Sequence, residues 1–178
     1  MATQDQSAQA LRNSTRVFNT LKRYMEDDDW YPKVFDDAPF TVTCLFAGEH
    51  GRTHVYVRVL EEAEFLRLVV HAPFTVPQNR RHAVARFITR ANYGLNLGAF
   101  QLDLDDGELS YRSALDFEGL EVGEQVLRST LVQAVLTMDD YLPGLMAVIY
   151  GGVTPEEAIL IVESDDDSAD LALTEEVN

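Results

Sequence analysis

The apolar positions of this chain change period several times, and each change marks an element. From Ser14, a residue suited to an N-cap, Val17, Phe18, Leu21, Tyr24 and Met25 recur at helical spacing, with Lys22 and Arg23 on the other side. This amphipathic helix stops in the acidic run 26–29, and Trp30-Tyr31-Pro32 follows in a connector. An aromatic pair there either plugs the edge of a core or stands out as a docking anchor. Strict alternation then takes over. Phe40, Val42, Cys44 and Phe46 share one face of a strand, Val55, Val57 and Val59 one face of a second, and Leu66, Leu68 and Val70 one face of a third. The connections Glu49-His50-Gly51-Arg52 and Glu61-Glu62-Ala63 are short enough for hairpins, which predicts an antiparallel meander with one apolar face to be covered by helices.

After Pro73 and Pro77 the helical period returns: Val84, Phe87, Ile88 and Ala91 lie on one side, and Gly94 is placed to end the helix in a left-handed cap. Phe100, Leu102 and Leu104 then alternate, as do Leu109, Tyr111 and Leu115 beyond Asp103-x-Asp105-Asp106-Gly107. That acidic stretch could be a metal loop or a hairpin bend. A calcium loop needs its glycine one position later, a bidentate Glu beyond, and helices as flanks, so the pattern predicts a turn in which Gly107 supplies positive φ and the aspartates bond backbone N–H groups. Val122, Val126, Leu127, Leu131, Val132, Val135 and Leu136 build a long helix whose apolar face is broad enough for part of it to be covered by another chain. It should kink or restart at Pro143 and continue to Gly151-Gly152. Thr154-Pro155-Glu156-Glu157 has capping-box spacing and predicts a short last helix over 158–162.

The reading is therefore α+β: a five-stranded antiparallel sheet, meander plus hairpin, covered on one face by helices in the order α-β-β-β-α-β-β-α-α. Residues 1–13 read as a disordered N-terminal segment, 14–163 as a single domain, and 164–178 as an acidic disordered tail without a basic residue.

Charge narrows the partners. With 14 Lys and Arg against 30 Asp and Glu in 178 residues, the formal charge of −16 opposes nucleic acid and anionic membranes. It suits a basic or amphipathic protein partner, or a salt-rich cytoplasm. A lone cysteine excludes an internal disulfide, no apolar run approaches the roughly 18 residues of a membrane helix, and the first residues lack a signal-peptide pattern, so a cytoplasmic location is expected. Candidate chemistry is sparse. His50, His54, His71 and His82 form no helical ligand pair, Cys44 reads as buried, and neither a nucleophile elbow nor a phosphate loop nor a dinucleotide fingerprint is present. No catalytic residue, metal or cofactor is assigned. Arg80 and Arg81 join His82, Arg86 and Arg90 in a positive stripe, which reads either as a solvated face balancing local carboxylates or as an anion site.

Three phrases carry a resemblance: Asn92-Tyr93-Gly94-Leu95-Asn96-Leu97-Gly98-Ala99-Phe100-Gln101-Leu102-Asp103; Asp106-Gly107-Glu108 leading to Tyr111-Arg112; and Tyr141-Leu142-Pro143 before Val148-Ile149-Tyr150-Gly151-Gly152. In this order of elements the chain resembles the bacterial YbjN family from residue 14 to residue 162. The resemblance implies a domain similar to type III secretion chaperones, acidic α+β proteins that pair as homodimers and hold segments of other proteins, and a sensory-regulator label that defines no reaction. The function expected is a non-enzymatic, chaperone-like or adaptor module binding a protein or peptide segment. The alternative is a regulatory domain sensing a small ligand or anion through Arg86, Arg90 and an outward Tyr111 and Arg112.

Overall fold

A computed structural model describes residues 4–163, so the tail read at 164–178 and residues 1–3 lie outside the described residues. The first helix, α1, is Gln4–Asp27. It starts ten residues before the expected N-cap, and residues 4–13, read as disordered, form its first turns. Ala, Gln and Leu there are good helix formers without an apolar period to reveal them. Ser14 is buried inside the helix, and its hydroxyl donates to the Glu61 carbonyl at 3.0 Å. The neighbouring Asn13 amide donates to the Glu64 carboxylate and, at 3.1 Å, to the Leu120 carbonyl, tying the helix to two connections.

Six strands follow rather than five: β1 Lys33–Phe35, β2 Ala38–Ala47, β3 Arg52–Leu60, β4 Phe65–Thr75, β5 Ala99–Leu102 and β6 Glu108–Asp116. The extra one, β1, is three residues long and therefore too short to show a period. All pairs are antiparallel in the order β1-β2-β3-β4-β6-β5, which joins the hairpin to the meander through β6 and leaves β5 at the edge. Of the aromatic pair only Trp30 plugs the edge, its ring stacking on Phe46 with centroids 5.4 Å apart while Nε1 donates to Asp28 at 3.0 Å; Tyr31 stands exposed.

Helices α2 Arg81–Gly94, α3 Glu124–Ile149 and α4 Pro155–Glu163 complete the elements of the described residues. Gly94 does not supply the left-handed cap; Leu95, in extended conformation, closes α2 by donating to Ala91, and positive φ appears four residues later at Gly98. Pro143 does not divide α3, which runs through it unbroken. A proline forfeits the hydrogen bond to residue 139, and the tight packing of Leu142 and Leu145 in the core holds the helix across that gap. The capping box at α4 forms as read, with the Thr154 N–H and hydroxyl donating to the Glu157 carboxylate at 3.1 and 2.7 Å and the Glu157 N–H returning to Thr154 at 3.3 Å.

One sheet face carries Val42, Cys44, Val57, Leu68, Val70 and Tyr111 into the core beneath the helices. The Asp-rich bend is a hairpin turn. Asp103 and Asp106 accept from the N–H groups of Asp105 and Glu108, each at 2.7 Å, and Gly107 has φ +87°. Leu104, expected in the strand, lies exposed in that turn. The turn's carbonyls are held by Arg81, whose guanidinium donates to Leu104, Asp105 and Asp106 at 2.8 to 2.9 Å and to Val76 at 3.2 Å.

Candidate functional site

The residues singled out from the sequence fall in different places. Arg86 and Arg90 lie on the exposed side of α2, and both donate to the Glu156 carboxylate in the first turn of α4, at 2.5 and 3.1 Å. That carboxyl sits below its usual range because of its own backbone N–H first, then the Arg86 and Arg90 guanidiniums. The stripe thus already holds an anion, supplied by the chain itself. Tyr111 is not outward: it is fully buried, its hydroxyl donating to the Leu97 carbonyl and accepting from the Gln133 amide at 3.1 Å. Strand parity explains the correction, since Leu109 and Tyr111 must share the core face of β6 and Arg112 must point away. Arg112 is exposed on the opposite side of the sheet.

That opposite side is the feature the stripe concealed. No helix element covers it in the described residues, and its side chains can be read from the register. One row crosses all six strands: Lys33, Thr43, Tyr56, Val69, Arg112 and Ala99. The row on one side carries Thr41, Arg58, Arg67 and Ala114; the row on the other carries Leu45, His54, His71, Ser110 and Gln101, with Arg52 beyond. The face therefore gathers five Lys and Arg and two histidines around Tyr56 and Val69. Phe35 joins them, its ring centroid 6.2 Å from that of Tyr56. Acidic side chains keep to the rim: Asp36 and Asp37 in the β1–β2 turn, Glu61 and Glu62 in the β3–β4 turn, and Glu108 and Asp116 at the ends of β6.

The electrostatics of this face run against the rule for sheets. Arg58 lies directly opposite Arg67, and His54 directly opposite His71. Like charges in that position destabilise a pair of strands. Among the described residues Lys33, Arg52, Arg58, Arg67 and Arg112 enter no ion pair, and Arg112 has only a 3.4 Å hydrogen bond to the Ser110 hydroxyl. His71 alone meets an acid, with Nδ1 3.6 Å from Glu108. An extended segment crossing six strands at about 4.8 Å spacing would span about 24 Å of this surface.

The β2–β3 turn, at one end of the face, is anchored by a buried carboxylate. Asp139 of α3 accepts from the N–H groups of Glu49, His50 and Gly51 at 2.7 to 3.1 Å, hanging the β2–β3 turn on the helix. A Cβ on Gly48 would stand 2.3 Å from that carboxylate, so glycine there is a condition of the clamp. Sequence reasoning missed both the clamp and the face. The signal for the face was present: Arg52, His54, Arg58, Arg67 and His71 occupy the positions that alternate with the valines and leucines of β3 and β4.

Burial pushes the Cys44 thiol up to about 11, away from the thiolate form a nucleophile needs. Among the described residues no group of three His, Cys, Asp or Glu could hold a metal ion, and no helix is long and apolar enough to cross a membrane. A cleft of about 870 Å³ opens between the α2–β5 connection, the middle of α3 and the end of α4, lined by His50, Asn96, Thr137, Asp140 and Glu163 among others.

A comparison with curated proteins found no match. A comparison with protein-family models matched residues 18–147, which take in the six strands, α2, the second part of α1 and most of α3, to the family described as "Putative bacterial sensory transduction regulator". That match covers well over half of the chain, and with it the protein belongs to the YbjN family.

Proposed function

We propose that this chain is a non-catalytic regulatory module that holds an acidic, extended segment of a partner protein on the open face of its sheet. The family label supports a regulator rather than an enzyme. The observation that carries the finer reading is the Arg58–Arg67 pair: the two residues stand directly opposite each other on neighbouring strands, and among the described residues neither enters an ion pair. A local rule broken without internal compensation is the mark of a surface shaped for something outside the chain. A carboxylate-bearing segment supplies the missing counter-charge, while Tyr56 and Phe35 offer apolar contact between the cations. Holding a partner's segment in this way is a chaperone-like or adaptor activity, similar in kind to that of type III secretion chaperones.

The occupant is protein rather than nucleic acid because of the rim. A polyphosphate longer than the face would run over Asp36, Asp37, Glu61 and Glu62 and then over a chain of formal charge −16. A short acidic segment meets only the cations. Sensing of a small anion at Arg86 and Arg90 has less support, since Glu156 takes both guanidiniums.

The test is fluorescence anisotropy with a labelled synthetic peptide of alternating Glu and Leu, at low and at high salt. The parent and the Arg86→Ala, Arg90→Ala variant should bind alike, and binding should weaken with salt. The Arg58→Glu, Arg67→Glu variant should bind about ten-fold or more weakly, on the order of 1.4 kcal/mol. Equal binding by parent and the charge-reversed variant, or tighter binding of a duplex DNA probe than of the peptide, would overturn the reading.

A further inference from the structure

We infer that the group this face is shaped to hold is a phosphoryl: the partner's segment carries a phosphoserine or phosphothreonine, whose dianion is received between Arg58 and Arg67. The inference rests on the docking face argued above and names the chemistry of its occupant. It starts from the make-up of one row. Thr41, Arg58, Arg67 and Ala114 stand side by side on β2, β3, β4 and β6. Both arginines are exposed, and their neighbours in the row are short, so no bulky side chain of that row competes for the space the guanidiniums reach. Residues directly opposite on antiparallel strands have Cβ atoms about 5 Å apart, less than the length of an arginine side chain, so the two forks can close on one anion. Among the described residues neither arginine enters an ion pair. Arg112, opposite Val69, lies diagonally across from Arg67 and adds a third cation to the same neighbourhood.

The count of charges and acceptors selects the anion. A carboxylate carries one charge and is satisfied by one fork, which leaves the second arginine unanswered. Two carboxylates would have to stand side by side at that spacing, against their own repulsion. A phosphate ester carries a charge of about −1.5 to −2 at pH 7 and three acceptor oxygens, so a single group answers both cations. Thr41 points the same way: it is 1% exposed, and its hydroxyl has no hydrogen-bond partner among the described residues. Since Thr41 stands opposite Arg58, an acceptor-rich group held by that arginine is the neighbour that would answer it. The rows on either side of the arginine pair hold Tyr56 and Val69, and Leu60 and Phe65, apolar or aromatic ground that suits the flanking side chains of a peptide. One phosphoryl on a short segment also stays clear of the acidic rim that opposes a longer polyanion.

The experiment uses the full chain and three labelled synthetic peptides of alternating Glu and Leu that differ only at the central acidic position, which is phosphoserine, glutamate or serine, followed by anisotropy. The parent should bind the phosphoserine peptide about ten-fold or more tightly than the glutamate peptide. Arg58→Lys with Arg67→Lys keeps both charges and removes both forks, and should erase most of that advantage; Arg86→Ala with Arg90→Ala should leave it intact. Equal binding of the phosphoserine and glutamate peptides by the parent, an advantage that survived in the lysine variant, or one lost with Arg86 and Arg90 would overturn the inference. So would inorganic phosphate that displaced the phosphoserine peptide at equal concentration, because the site would then be one for the free anion. The glutamate peptide separates the two levels. If it binds through Arg58 and Arg67 and the phosphoserine peptide binds no better, the phosphoryl is refuted and the docking face stands; if no peptide binds, both fall.

Discussion

The molecule has two positive surfaces, and they are positive in different senses. On α2, Arg86 and Arg90 stand one turn apart and close on one carboxylate, Glu156, so the charge is spent inside the fold joining α2 to α4. On the open sheet, Arg52, Arg58, Arg67 and Arg112 come from three strands, enter no ion pair among the described residues, and in one place stand opposite each other. The first arrangement is ordinary fold-building. The second raises the energy of the folded chain, so its presence calls for a use outside the fold, and this difference, rather than the density of basic residues along the sequence, separates a structural stripe from a site.

The comparison breaks first at its scaffold. Asp139→Ala removes the acceptor of the Glu49, His50 and Gly51 N–H groups from a position 3% exposed, and should cost about 2 kcal/mol in urea unfolding. With the β2–β3 turn released from α3, Arg52 and His54 should lose their fixed register, and acidic-peptide affinity should fall with stability. Arg86→Ala with Arg90→Ala should lower the melting temperature slightly and leave peptide affinity at the parent's value. If the α2 variant instead lost the peptide and Arg58→Glu with Arg67→Glu did not, the assignment of the two surfaces would be reversed.

A single substitution sharpens the contrast further. Arg58→Glu converts the like-charge pair into an opposite-charge pair with Arg67, and should stabilise the chain by about 0.2–1 kcal/mol while weakening peptide binding. Stability and binding moving in opposite directions is the outcome a docking face requires; a variant that lost both would mean that Arg58 has a structural partner. Thermal unfolding and anisotropy on one preparation decide it.

Much of the fold was legible in the sequence because period carried it. The valines of β3 and the leucines of β4 bury the positions their spacing named, whereas of the repeat named for α3 Leu127, Leu131 and Val135 are buried while Val126 and Leu136 are exposed. The capping box at Thr154 and the bend at Gly107 were readable because each rests on contacts between near neighbours in sequence. What escaped depended on contacts distant in sequence or on segments without a period: β1 is three residues long, and the start of α1 is polar. The candidate site was hidden for a further reason. Arg80, Arg81, Arg86 and Arg90 cluster in a dozen residues and attract notice, whereas Arg52, Arg58, Arg67 and Arg112 spread over sixty and converge only when β6 is known to pair with β4. Tyr111 and Arg112 were grouped as neighbours in sequence, yet adjacent strand residues point to opposite faces.

The smallest expected effect is one of pH, and it tests whether the two surfaces differ in having an internal carboxylate at all. The Glu156 carboxyl lies below the ordinary value of 4.5, through its own N–H at the start of α4 and then through Arg86 and Arg90. A carboxyl lowered by folding binds its proton more readily in the unfolded chain, so it contributes stability above 4.5, and that contribution is lost as pH falls through the lower folded value. Glu156→Gln should therefore melt slightly below the parent at pH 7, with the gap closing as pH drops well under 4.5. Glu157, lowered chiefly by its bond to the Thr154 hydroxyl, titrates in the same window, so Glu157→Gln is the control that isolates the arginine contacts. Arg67→Gln on the open sheet removes a cation that no carboxylate among the described residues answers, and its effect on the melting temperature should stay the same across that window. A gap at Arg67 that also closed in acid would place an unrecognised carboxylate beside it and make the two surfaces alike.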